Sequence, residues 1–120
     1  MNQRTQIEQY ISKKYHAPVE HLWARSPSDG ICRRTDNRKW FAVFMGVKCE
    51  TMRVDGDGVV DVMNVKCDTG LMGALLASPG YKPAYHMSKA NWISIILNDT
   101  VNIAEIKSLV DLSYKMTAGK

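Results

Sequence analysis

Apolar residues fall first at a spacing of three to four, then at alternate positions, then at helical spacing again, and that order predicts a mixed fold. Ile7, Tyr10, Ile11 and Tyr15 share one face of a helix that begins between Asn2 and Thr5 and ends near Tyr15, ahead of Pro18. Thr5 and Glu8 have the spacing of a capping box, in which each side chain satisfies a free amide of the first turn. From Glu20 to Lys66 the period is that of strands. Residues 21–25 alternate, 31–34 form a short run, and 39–45 are apolar on both faces, the pattern of a central strand. Turn residues at 26–30 and 35–38 separate these runs, so they read as a meander of antiparallel neighbours. Strand-type runs at 49–54 and 59–65 flank Asp55, Gly56, Asp57 and Gly58, residue types that accept the positive φ of a tight hairpin.

The helical period returns after Lys66. Asp68 is placed to cap a helix over 69–77, with Leu71, Met72, Leu75 and Leu76 as its buried stripe. Residues 79–92 fit neither period, and an apolar strand follows at 92–97. Asn98 and Asp99 then make a turn. Asn102 caps the last helix, Glu105 completes its capping box, and Val101 packs on Ile106 as a hydrophobic staple. Ile106, Leu109, Val110 and Tyr114 face the core, Ser113 keeps that face narrow, and Lys115 and Lys120 close a fraying tail. The order predicts one α+β domain spanning residues 1–120. It has two layers, an antiparallel sheet of five to six strands with helices packed on one face. The other face of the sheet is expected to be partly open.

Size and composition narrow the class further. A chain of 120 residues supports one hydrophobic core, and no apolar run approaches a membrane span. The polar opening from Asn2 to Gln6 lacks the hydrophobic segment of a signal peptide, which predicts a cytoplasmic protein without membrane contact. Cys32, Cys49 and Cys67 are odd in number and have no C-x-x-C spacing, so free thiols are expected rather than disulfides or a zinc site. The net charge of +4 is unevenly placed. Seven cations stand against three acids between Arg25 and Arg53, so the remaining residues sum to zero, and no carboxylate occurs from Thr69 to Asn98. Both regions suit an anionic partner.

Enzyme chemistry is thin in this chain. His16, His21 and His86 are scattered, no H-E-x-x-H or phosphate-binding glycine loop occurs, and Gly70 and Gly73 lack the third glycine of a dinucleotide loop. The loop from Asp55 fails the calcium template, with Val59 at its fifth and Lys66 at its twelfth position. No catalytic residue, metal site or cofactor is expected. Residues 79–92 instead combine Tyr81, Tyr85, His86 and Trp92 with Lys82 and Lys89. Aromatic faces interleaved with cations suit a nucleic-acid backbone or a stacked base, and equally an ordinary buried loop anchor.

The motifs VKCD at 65–68, PGY at 79–81, PAY at 83–85, MSK at 87–89, WIS at 92–94 and SY at 113–114, taken together over roughly residues 5–117, resemble the MmcQ/YjbR family of small bacterial proteins. The resemblance implies a fold related to the frataxin homologue CyaY and a double-wing DNA-binding surface. The iron chemistry of CyaY-type proteins does not carry over, because Glu8 is the lone acid of the first helix, beside Arg4, Lys13 and Lys14. If two hairpins form the wings, Arg33, Arg34, Arg38 and Lys39 flank one and Arg53 precedes the other. Lys66, Lys89 and Trp92 match the family pattern and mark, with Lys82, the rest of the expected surface. The expected function is therefore DNA binding through the phosphate backbone, with transcriptional regulation as its extension. The alternative is a non-catalytic module that binds a small ligand or a protein between the 79–92 loop and the sheet.

Overall fold

In the computed structural model, which describes residues 1–119, the elements run α1 (Gln3–Tyr15), β1 (Gly30–Arg33), β2 (Trp40–Lys48), α2 (Cys49–Met52), β3 (Val59–Lys66), α3 (Thr69–Leu76), β4 (Tyr81–Pro83), β5 (Trp92–Ile96) and α4 (Ile103–Met116). All pairings are antiparallel and the sheet order is β1-β2-β3-β5-β4. The chain meanders through the first three strands. It then places β5 against β3 and leaves β4 on the outer edge.

Alternation along the strands divides the interior into two cores. Phe44, Met63, Val65, Ile93 and Ile95 point to one face, where α1, α3 and α4 contribute Ile7, Ile11, Met72, Ile106 and Val110. Val43, Met45, Val62 and Ile96 point to the other, where Met52 of α2 joins Trp40, Tyr85 and Met87. The three longer helices therefore share a face, as the pattern predicts, while the short α2 caps the reverse side. Full burial of side chains such as Phe44 or Ile95 stabilises the fold by about 1.5–3 kcal/mol each.

Ser113 anchors α4 to the sheet. It is fully buried in the apolar stripe, where its hydroxyl donates to the Phe41 carbonyl at 2.7 Å and accepts from the Lys66 N–H at 2.9 Å. The regular β2–β3 ladder begins at the Ala42–Val65 pair, so this hydroxyl bridges the backbone just beyond it. Phe41 is also skipped in the register with β1, a bulge that turns its ring onto Tyr15 and Tyr114. A second link joins α1 to α4. The Asp111 carboxylate accepts from the Tyr10 and Tyr15 hydroxyls and from Lys14.

Several expectations give way to competing local interactions. Residues 21–25 form no strand, because the Trp23 carbonyl accepts from Ser26 N–H in a turn and the chain pairs with β1 only through a Glu20–Ile31 bridge. Residues 49–54 are a helical turn rather than a strand, closed by bonds from Arg53 and Val54 to Glu50 and Cys49 and ended by Arg53 at φ 55°. Asn2, not Thr5, caps α1 by accepting from Thr5 N–H, while Glu8 pairs with Arg4. Asn102 caps α4 as expected, but the Glu105 carboxylate accepts from the Tyr81 hydroxyl instead of completing the box. Leu76 is exposed. Part of the 79–92 segment is a strand after all, for Tyr81–Pro83 pairs with β5 at the sheet edge, where proline's missing donor is tolerated. Lys120 lies outside the described residues.

Two outcomes test these anchors. Replacing Ser113 with Ala leaves a buried N–H and a buried C=O without that partner, and should lower the unfolding free energy by about 1–3 kcal/mol. Ser108→Ala on the exposed side of α4 should stay within about 0.5 kcal/mol; equal urea midpoints for the two variants would contradict the anchoring role. At Asp111, burial pushes the carboxyl upward, but the bonds from Tyr15, Tyr10 and Lys14 outweigh it and hold the group below its ordinary value of 3.8. A depressed carboxyl stabilises the fold above that value and loses the contribution as pH falls through the folded-state one. Asp111→Asn should accordingly flatten the loss of stability below about pH 4, read from denaturant titrations at stepped pH.

Candidate functional site

The segment between β4 and β5 is fixed to the sheet by a buried polar pair. Asn64 of β3 and Ser94 of β5 face each other in register and are both fully buried. The Ser94 hydroxyl donates to the Asn64 side-chain oxygen and accepts from Tyr85 N–H at 2.9 Å, while the Asn64 amide donates to the Tyr85 carbonyl at 2.9 Å. Both backbone groups of Tyr85 are thus held. His86 follows with φ 58° and stacks on Tyr85 at 3.8 Å and 20°.

This anchoring lays Tyr85, His86 and Met87 over the second face of the sheet. Opposite them stand Trp23 and Trp40, whose rings meet edge to face at 5.9 Å and 87°. Between the two sides lies a cleft of about 330 Å³, floored by Val43 and Met45 and bordered by Asp29. Trp92 is half-buried opposite Lys66. Tyr81 departs from the expected stacking surface. It is buried on the helix-covered face beneath α4, and burial together with its bond to Glu105 pushes its phenol upward.

The eight cations singled out by the charge pattern do not form one surface. Arg33 is paired with Glu20 at 3.0 Å. Arg34 is a further correction: only 7% exposed, it binds Asp36 through two nitrogens, lies 3.8 Å above the Tyr114 ring and donates to the Tyr114 carbonyl. It ties the β1–β2 turn to the end of α4. Arg38 and Lys39 are exposed on that turn, Lys66 ends β3, and Lys89 is exposed just before β5. The antiparallel registers bring the start of β2, the end of β3 and the start of β5 to one end of the sheet, so these four share it. None of them has an ion pair among the described residues. The neighbouring acids are engaged, Asp36 with Arg34 and Asp68 in capping the Gly70 N–H. Arg53 lies beyond α2 toward the opposite end, where Lys82 donates to its carbonyl at 3.3 Å.

Sequence reasoning missed Asp29, Trp23 and Trp40 as a wall, and Lys115 at the α4 end beside the Arg34 contact. A signal for the wall was present: a tryptophan stands near each end of a segment that folds back on itself. All three cysteines are free and buried, and burial pushes the Cys32 thiol up to about 12 and the Cys67 thiol upward, away from nucleophilic reactivity. Among the described residues no three His, Cys, Asp or Glu side chains converge as a metal site, and no helix is long and apolar enough to cross a membrane.

Comparison with known proteins places this arrangement. An uncharacterized Bacillus subtilis protein, YyaQ, is 33% identical over 114 residues, covering 95% of this chain and 97% of its own. A crystal structure of a Pseudomonas syringae protein superposes with a TM-score of 0.92 at 39% identity, covering 98% of this chain and all of the other. A Deinococcus radiodurans protein with a DUF419 domain shares the fold alone, with a TM-score of 0.75 at 17% identity over all of this chain and 81% of the other. The YjbR family profile matches residues 12–116, and on that span, together with the YyaQ likeness, the chain belongs to the YjbR family.

Proposed function

We propose that this protein binds duplex DNA through the phosphate backbone at the end of the sheet formed by Arg38, Lys39, Lys66 and Lys89. The observation that carries the reading is the convergence of four cations from three separate stretches of chain, none with a carboxylate partner among the described residues. Such cations neutralise phosphates and release condensed counterions, which gives affinity without sequence preference. Arg53 and Lys82 stand apart from this group, so the contact is narrower than two wings would give. Regulation of transcription adds base readout to this backbone contact. A second reading, a non-catalytic small-ligand module, is favoured by the cleft that Tyr85 and Met87 form with Trp23 and Trp40.

Fluorescence anisotropy with a labelled duplex checks the first reading. Four phosphate contacts predict a slope of log affinity against log salt of about −3.6, so binding should weaken roughly a hundredfold between 50 and 200 mM salt. Lys39→Gln combined with Lys89→Gln should reduce that slope by about two, and Lys82→Gln should leave it unchanged. Absence of binding at the lower salt, or an unaltered slope in the double variant, rules the interface out. Equal affinity for unrelated duplexes would remove the regulatory extension alone.

A further inference from the structure

The cleft on the second face of the sheet has a composition that selects for charge. Trp23 and Trp40 stand almost perpendicular and pack edge to face on each other, and both line one side of the cleft while Tyr85 with Met87 closes the opposite side. The ring faces carry negative quadrupole density. Asp29 adds a full negative charge at the border. One of its oxygens accepts from Gly46 N–H at 3.1 Å, its side chain is half-buried, and it has no ion pair among the described residues. The basic side chain of the lining, His86, stacks on Tyr85 and covers one face of its ring, which leaves the other face and the edge of Tyr85 to a ligand. A carboxylate beside two crossed indoles and a tyrosine stabilises a cation that carries little hydration of its own. Methylated ammoniums have that property, and unlike a guanidinium they need no hydrogen-bond acceptors around the head.

We propose that this cleft is a binding site for a small quaternary-ammonium solute, held by Trp23, Trp40 and Tyr85 and oriented by Asp29. The proposal deepens the small-ligand reading above and is independent of the DNA reading. The volume of about 330 Å³ is at the small end of ligand sites, which favours a free solute with one compact head over an extended cofactor. Rigidity supports it too. Tyr85 is fixed at both backbone groups by Asn64 and Ser94, and Trp40 begins β2 in register with Arg33 of β1. Trp23 is the adjustable wall, 39% exposed on a turn outside the sheet.

The probe is choline, compared with 3,3-dimethylbutan-1-ol, its neutral isostere, in two-dimensional NMR titrations that follow the three indole N–H signals. Choline should shift the Trp23 and Trp40 signals saturably and leave Trp92 in place, while the isostere should bind at least about tenfold more weakly. Asp29→Asn keeps an acceptor for Gly46 and should weaken choline about tenfold without changing the isostere. Trp23→Ala removes an exposed wall and should weaken both. Equal binding of choline and the isostere would overturn the cation specificity while leaving the small-ligand reading standing. No saturable shift with either probe, in a protein whose spectrum remains folded, overturns the proposal; a shift confined to Trp92 does the same by placing the ligand elsewhere.

Discussion

A buried asparagine and a buried serine face each other across two interior strands, and the arrangement of the second face follows from how that pair is satisfied. Asn64 and Ser94 replace apolar residues in runs otherwise made of Val, Met and Ile. Each polar atom left without a partner there would cost about 1–3 kcal/mol. Their mutual bond uses the Ser94 donor and the Asn64 oxygen, and the Ser94 oxygen and the Asn64 amide bond in turn to the N–H and C=O of Tyr85. The loop between β4 and β5, whose own backbone bonds are confined to its far end at Ser88, thereby gains a fixed point. Tyr85 and Met87 can then bury apolar surface against the second core. The sheet acquires a second core without a second layer of helices.

The first face uses the same device at a different place. Ser113 on α4 holds the backbone of β2 and β3 at their splayed end, as Ser94 holds the loop. Two hydroxyls, one presented by a helix and one by a strand, thus set where the covering elements sit along the sheet. Between them the position of β4 is tightly specified. Gly80 has φ 91°, and a Cβ there would stand 2.5 Å from Val101, just ahead of α4, so the loop enters the edge strand through the one residue type that fits.

Much of this was legible in the chain, and the failures have identifiable causes. Helical stripes and caps placed α3 to within a residue and α4 at its start, because Asp68 and Asn102 are caps by chemistry and their apolar neighbours leave one face to bury, whereas Lys115, expected in a fraying tail, lies in the last turn of α4. The run expected at 39–45 is, from Trp40 onward, an interior strand because both of its faces meet a core, and Lys39 falls on the preceding turn. Alternation at 21–25 misled, since a turn bond from Ser26 to Trp23 is local and forms without a partner strand. The site was read less well. The spacing of Tyr81 and Tyr85 says nothing of which face of the sheet each one meets. Tyr81, paired with Ile95, faces α4, whereas Tyr85 lies beyond the strand end on the opposite side. Trp23 and Trp40 converge only after β1 and β2 pair, a contact that sequence spacing does not encode.

The division of labour among the cations bears on the kind of partner they suit. Arg4, Arg33 and Arg34 are all in ion pairs, and Arg34 also stacks on Tyr114. A planar guanidinium fits such fixed, forked geometry better than an ammonium does. What remains at the end of the sheet is Arg38 with three lysines. Lysine presents a strongly hydrated point charge on a flexible stem, with little directional preference. Such a surface meets phosphate charge readily and discriminates base edges poorly, and its field is screened within about 8 Å at physiological salt. The aromatic cleft works at shorter range, through ring faces and a half-buried carboxylate that bulk ions screen less. A chain with net positive charge can therefore hold an electron-rich pocket on the same sheet: the two fields act over different distances, and the anchoring of Tyr85 keeps the pocket wall in place.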